Sequence, residues 1–69
     1  MSKIVVFLNG KAGQVEEQVL IPDLLKEAGL DPKMILVEHN RRVLLRGEWP
    51  DISLKHGDRL EFLRVVAGG

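Results

Sequence analysis

Ile4-Val5-Val6-Phe7-Leu8, an unbroken run of β-branched, aromatic and aliphatic residues, is cut off by Asn9-Gly10. No other junction constrains the fold of this chain so strongly. Asn and Gly tolerate the positive φ angles of a two-residue hairpin turn, so the run is a strand that doubles back at once. The chain therefore opens an antiparallel sheet, and an all-helical fold is excluded. The return strand, around residues 11–16, is weak in β propensity and belongs at an edge.

Pro22 suits the first turn of a helix, where its missing N–H costs nothing. Leu24, Leu25 and Ala28 supply an apolar stripe, with Asp23 and Glu27 complementing the start and middle. Gly29 reads as the residue that ends the helix, and Pro32 prevents its continuation. Leu30 should fold back on the core. Residues 34–38 form a buried-looking strand, 39–41 a tight turn and 42–45 the next strand. Trp49-Pro50 stops that strand and opens an irregular crossover anchored by Ile52 and Leu54. Gly57-Asp58 marks a second turn, and residues 59–65 form the last strand, with Leu60 and Phe62 on one face.

The element order β-β-α-β-β-β, with the final strand pairing centrally, is the β-grasp (ubiquitin-like) arrangement of the α+β class. The expectation is a mixed sheet of four or five strands on one helix over residues 22–28. Leu24, Leu25, Ile35, Val37, Leu60 and Phe62 should be mostly buried. At 69 residues there is one domain, set over residues 1–65, with a flexible tail at 66–69. A chain this short buries only about 60% of its unfolded surface, so its core is one thin layer without a deep substrate pocket.

Ten Lys plus Arg balance ten Asp plus Glu. That argues against nucleic acid as partner, because such binders rely on excess cations to neutralise phosphates. Arg41, Arg42 and Arg46 make the one basic cluster, read as a solvated turn and edge. There is no cysteine, hence no disulfide, thiolate metal site or thiol nucleophile. The apolar run at residues 4–8 is far too short for a signal peptide or a membrane span. The expected location is the cytoplasm, with no membrane partner.

The last strand runs directly into Val66-Ala67-Gly68-Gly69. Glycines lack a Cβ, so such a tail can pass through a narrow channel. Extended, its four residues reach about 13 Å. Its tip, Gly69, carries an unhindered carboxylate. A carboxylate is a poor electrophile until it is joined to AMP as a mixed anhydride, which a sulfur nucleophile can then displace. A frayed terminus with no role remains the alternative at this point.

Residues 36–69 resemble the ThiS family of sulfur carriers. The likeness rests on Val37-Glu38-His39-Asn40, Val43, Arg46-Gly47-Glu48-Trp49, Leu54, Gly57-Asp58, Leu60 and Val65-Val66-Ala67-Gly68-Gly69. The N-terminal half is similar more loosely, through Asn9-Gly10 and Leu24-Leu25. Two departures stand out: His39 where a small residue is more usual, and a longer, more acidic loop over residues 14–21.

The resemblance implies a carrier of thiamine thiazole synthesis, not an enzyme but a recycled co-substrate. An E1-like adenylating enzyme of the ThiF type would use ATP and magnesium to adenylate Gly69. Sulfur from a donor such as a cysteine desulfurase would convert it to a thiocarboxylate, and thiazole synthase of the ThiG type would consume that sulfur. This chain itself would bind no cofactor. The runners-up are a MoaD-like carrier for molybdopterin synthesis and a ubiquitin-like protein modifier.

The remaining candidates divide simply. Trp49 reads as a lid on the open end of the core. His39 and His56 lack ligand-spaced companions, so no metal site is expected. The sequence has no G-x-x-x-x-G-K loop, so it cannot activate its own terminus. Leu63 and Val65 alternate with Leu60 and Phe62, face away from the helix, and are assigned to partner docking.

Overall fold

The Asn9-Gly10 junction folds as its residues dictate: φ is 50° at Asn9 and 84° at Gly10, and β1 (Lys3–Leu8) turns directly into β2 (Lys11–Glu16). The computed structural model describes residues 2–65. The expected tail at residues 66–69, its separation from a 1–65 domain, and its flexibility lie outside the described residues.

The helix α1 (Ile21–Glu27) has half of a capping box, in which the Asp23 carboxylate accepts the Leu20 N–H at 3.2 Å. It ends in a Schellman motif. Gly29, at φ 71°, donates its N–H to the Lys26 carbonyl, and Leu30 donates to Leu25. The left-handed conformation makes glycine the natural residue there. Ile21, Leu24 and Leu25 are buried, whereas Ala28 is exposed, so the buried stripe begins one turn earlier than the sequence suggests.

A short 3-10 turn, Pro32–Met34, leads into β3 (Ile35–His39). Met34 belongs to that turn and not to the strand. β3 is also not buried on both faces: Ile35 and Val37 face the core, while Leu36 is exposed. Asn40 and Arg41 form the next tight turn, both at positive φ, before β4 (Arg42–Leu44). A 3-10 stretch, Arg46–Asp51, makes the crossover to β5 (Arg59–Arg64). Leu45 caps this stretch: its N–H donates to Glu48 Oε1 at 2.8 Å.

The strands lie in the order β2-β1-β5-β3-β4. β5 is parallel to β1, and the other neighbours are antiparallel. This five-stranded mixed sheet on one helix is the β-grasp fold. Ile4, Val6, Ile35, Val37, Leu44 and Leu60 meet Ile21, Leu24 and Leu25, with Trp49 and Leu54 closing the layer. Phe62 is only half-buried. β1 pairs with β5 no further than Leu8–Leu60, so no strand covers Phe62 on that side. The acidic segment 14–21 is shorter as a loop than its sequence suggests, because residues 14–16 extend β2 opposite residues 3–5.

Candidate functional site

β5 is the element to which the candidate residues belong. It is wedged between β1 and β3, and it leads to residues 66–69. Because side chains alternate along a strand, Leu60 turns into the core and Leu63 turns to the opposite face. Leu63 is 42% exposed and Val65 46%. The register sets Leu36 opposite Leu63, and Val43 opposite Glu38. Leu36, Val43 and Met34 are also exposed. The helix covers the other face, so this one is an open apolar surface beside the exit of β5. Exposed apolar surface that is contiguous on a sheet and bordered by charge is the usual form of a protein contact site.

The border is charged. Glu38 and Glu61 stand directly opposite each other on this face. Like charges in that position destabilise a sheet slightly. Arg59 lies over the Phe7 ring, 5.2 Å from its centroid, and together with Arg41 it lines a small recess that also includes both glutamates.

Two asparagines hold β5 from either side. Asn9 donates its N–H to the Leu60 carbonyl at 2.9 Å, and its Oδ1 accepts the Phe62 N–H at 2.8 Å. Asn40 donates to the Arg59 carbonyl at 2.8 Å and accepts the Arg59 N–H on Oδ1 at 2.8 Å. Each side chain stands in for a backbone carbonyl where the neighbouring strand has already turned away. Positive φ explains why Asn suits these turns, but this second duty links residues too far apart for local pattern to reveal.

Asp58 completes the arrangement. Its carboxylate receives His39 Nε2 at 2.8 Å, the Lys55 N–H at 3.0 Å and Asn40 Nδ2 at 3.2 Å. Burial pushes the Asp58 pKa up, but the bonds from His39, Lys55 and Asn40, with the His39 charge, outweigh it. They hold the carboxyl below its usual range. His39 thus has a carboxylate partner that lies 19 residues away, outside any ligand-like spacing in the sequence. The unusual His39 is accounted for as a tie between the 39–41 turn and the turn before β5. His56 Nδ1 accepts the Val5 N–H at 3.1 Å. Among the described residues no three or more His, Cys, Asp or Glu side chains are grouped so as to hold a metal ion.

The basic cluster disperses. Arg42 pairs with Glu48 at 3.2 Å on the surface, Arg41 occupies the turn at φ 71°, and Arg46 starts the 3-10 stretch. Trp49 is 3% exposed and packs in the core, as its size suggests, with its indole N–H unpartnered among the described residues. A recess of about 630 Å³ among the described residues is an open groove including Ile4, Leu20, Ile52 and His56. It lies at the end of the sheet remote from Val65. Among the described residues no helix is long and apolar enough to cross a membrane. Gly69, and the tail residues Val66, Ala67 and Gly68, lie outside the described residues.

Comparison with known proteins bears on this arrangement. The model of the ThiS family matches residues 3–69. A sulfur carrier protein ThiS from Thermus thermophilus is 34% identical over 64 residues, covering 93% of this chain and 98% of that protein. A thiazole synthase from Magnetococcus marinus is 30% identical over 64 residues. This chain spans only 20% of that relative and 19% of a second thiazole synthase, from Paramagnetospirillum magneticum. The crystal structure of a thiamine biosynthesis protein (ThiS) from Geobacter metallireducens superposes with a TM-score of 0.81 at 30% identity. It covers 96% of this chain and all of that one. With the family model matched over residues 3–69 and a ThiS relative and a ThiS structure each similar over nearly the whole length, the chain belongs to the ThiS family.

Proposed function

We propose that this domain is a sulfur carrier of thiamine biosynthesis and that Gly69 is the residue that carries the sulfur. The observation that carries the reading is the placement of β5. The central strand leaves the sheet at Arg64 beside an exposed apolar face, and it delivers residues 66–69 from that point. A partner that docks on Leu63 and Val65 is therefore adjacent to the segment it must process.

The chemistry is supplied by partners. An adenylating enzyme joins the Gly69 carboxylate to AMP from ATP, with magnesium, and releases pyrophosphate. A persulfide sulfur from a donor such as a cysteine desulfurase then attacks the acyl carbon and AMP departs, giving an acyl disulfide. A partner thiol attacks the donor-side sulfur, is left in a disulfide with it, and releases the thiocarboxylate. The step is covalent activation divided between two easier displacements. The carrier is a co-substrate in these steps and works in the cytoplasm. Thiazole synthase is the acceptor. In two relatives of that name a stretch similar to this chain makes up about a fifth of a longer polypeptide, which favours thiamine over a MoaD-like role.

Intact-mass spectrometry tests the reading. After incubation with the adenylating enzyme, ATP, magnesium and a sulfur source, the protein gains the mass difference between sulfur and oxygen, located at Gly69. Deleting Gly69 abolishes that gain. The described core ends at Leu60, so the deletion shifts stability by no more than about 0.5 kcal/mol. Lysine conjugates through Gly69, with no thiocarboxylate, would show a protein modifier instead.

A further inference from the structure

The hydrogen bonds of β5 alternate in direction, and on one side they run out. Val65 donates to the Met34 carbonyl at 2.7 Å and Asn40 donates to the Arg59 carbonyl, so the odd-numbered residues point toward β3. The even-numbered residues point the other way. There the Leu60 carbonyl and the Phe62 N–H are taken by Asn9. β1 pairs with β5 only at Phe7–Arg59 and Leu8–Leu60, then turns back at Asn9-Gly10. The Phe62 carbonyl and the N–H and carbonyl of Arg64 therefore have no protein partner among the described residues. They form a short open edge in a central strand, immediately before residues 66–69. Unpaired strand edges are templates for another extended chain.

We propose that this edge is a strand-addition site. The adenylating enzyme lays an extended segment against Phe62 and Arg64, in the line that β1 vacates. The inference rests on the carrier reading above. Its consequence is registration. Strand geometry advances about 3.3 Å per residue, so fixing Arg64 by backbone bonds sets an extended Gly69 about 17 Å further on. A slip of one residue would move the carboxylate out of reach of the nucleotide. The side chains specify the added segment: a carboxylate alongside the exposed Arg64, and an apolar residue alongside Leu63 on the open face. A second copy of this chain fits poorly. The antiparallel self-pair that uses the Arg64 N–H and carbonyl sets Arg64 opposite Arg64, and like charges there oppose pairing.

Proline separates backbone from side chain. The Arg64 N–H makes no bond among the described residues, so Arg64→Pro removes the free donor at an edge position where proline is tolerated. Arg64→Ala removes the side chain and keeps the donor. Affinity for the adenylating enzyme is measured by calorimetry on the full chain. Arg64→Pro binds about ten-fold more weakly than Arg64→Ala, the effect of one lost backbone bond at an interface. Amide hydrogen exchange on the unsubstituted protein gives an independent readout should the proline variant not fold. Arg64 exchanges fast in the free chain and slows in the complex, whereas Val65, bonded to Met34, is slow in both. Equal affinity of the two variants, or an Arg64 amide that stays fast in the complex, overturns the proposal while sulfur transfer to Gly69 leaves the carrier reading intact. A chain that never acquires sulfur overturns both. A concentration-dependent dimer that Arg64→Pro dissolves would assign the edge to a second copy and also overturn it.

Discussion

Asn9 offers the sharpest test of how β5 is held, because its two duties can be removed one at a time. Its φ of 50° lies in the left-handed region, and its Oδ1 accepts the Phe62 N–H at 2.8 Å. Asn9→Asp keeps an acceptor and a residue tolerant of that conformation, and it should change stability by less than about 0.5 kcal/mol. Asn9→Gly keeps the conformation but leaves the Phe62 N–H to solvent, which costs about 1 kcal/mol for the lost bond. Asn9→Ala loses the bond and also forces a Cβ into left-handed geometry, adding about 1–2 kcal/mol for a total of about 2–3. For a domain of this size each kcal/mol is worth about 4–8 °C in Tm. Urea unfolding of the four proteins gives the ranking directly. If Asn9→Gly is as stable as Asn9→Asp, the side chain does not hold β5 and Asn9 serves the turn alone.

Two further outcomes follow from the site. The folded state depresses the Asp58 pKa, so it holds that proton more weakly than the unfolded chain does. The resulting stability is fully present above the usual carboxylate range and is lost as pH falls through the lower folded value. Tm measured from neutral to strongly acidic pH should therefore fall more steeply in the unsubstituted protein than in Asp58→Asn, and parallel curves would refute the assignment. At the open face, Leu63→Asp or Val65→Asp should weaken binding to the adenylating enzyme by about ten-fold or more, whereas Arg41→Ala should change it little. A carboxylate buried unpaired at an interface centre outweighs a rim charge. Equal affinities for all three variants would move the docking surface elsewhere.

What could be read from the sequence was whatever is encoded within a few residues. Asn9-Gly10 specified its turn, Gly29 the end of α1, and the alternation in β5 the outward direction of Leu63, all by local conformational preference. Trp49 announced its burial by size. What escaped was the chemistry between distant residues. His39 meets Asp58 across 19 positions, and Asn9 meets Phe62 across 53. Neither pairing leaves a periodic or compositional mark. The half-exposure of Phe62 was hidden for a related reason: it depends on where β1 stops beside β5, a register that no single strand contains.

The central position of β5 also governs how the domain comes into being. β1 with β2, and β3 with β4, are local hairpins that can form early and independently. In the sheet order they touch each other only through β5. Joining β1 to β5 closes a loop from Phe7 to Arg59, and such long-range closure is slow because its entropy must be met before the contacts form. During synthesis the sheet cannot complete until residues 59–64 have left the ribosome, and residues 66–69 emerge directly after them. The folding step that finishes the core is thus the same event that fixes in place the strand preceding residues 66–69. On the carrier role proposed above, a chain that has not folded would offer partner enzymes no docking face next to the segment they process, and so would be spared from them.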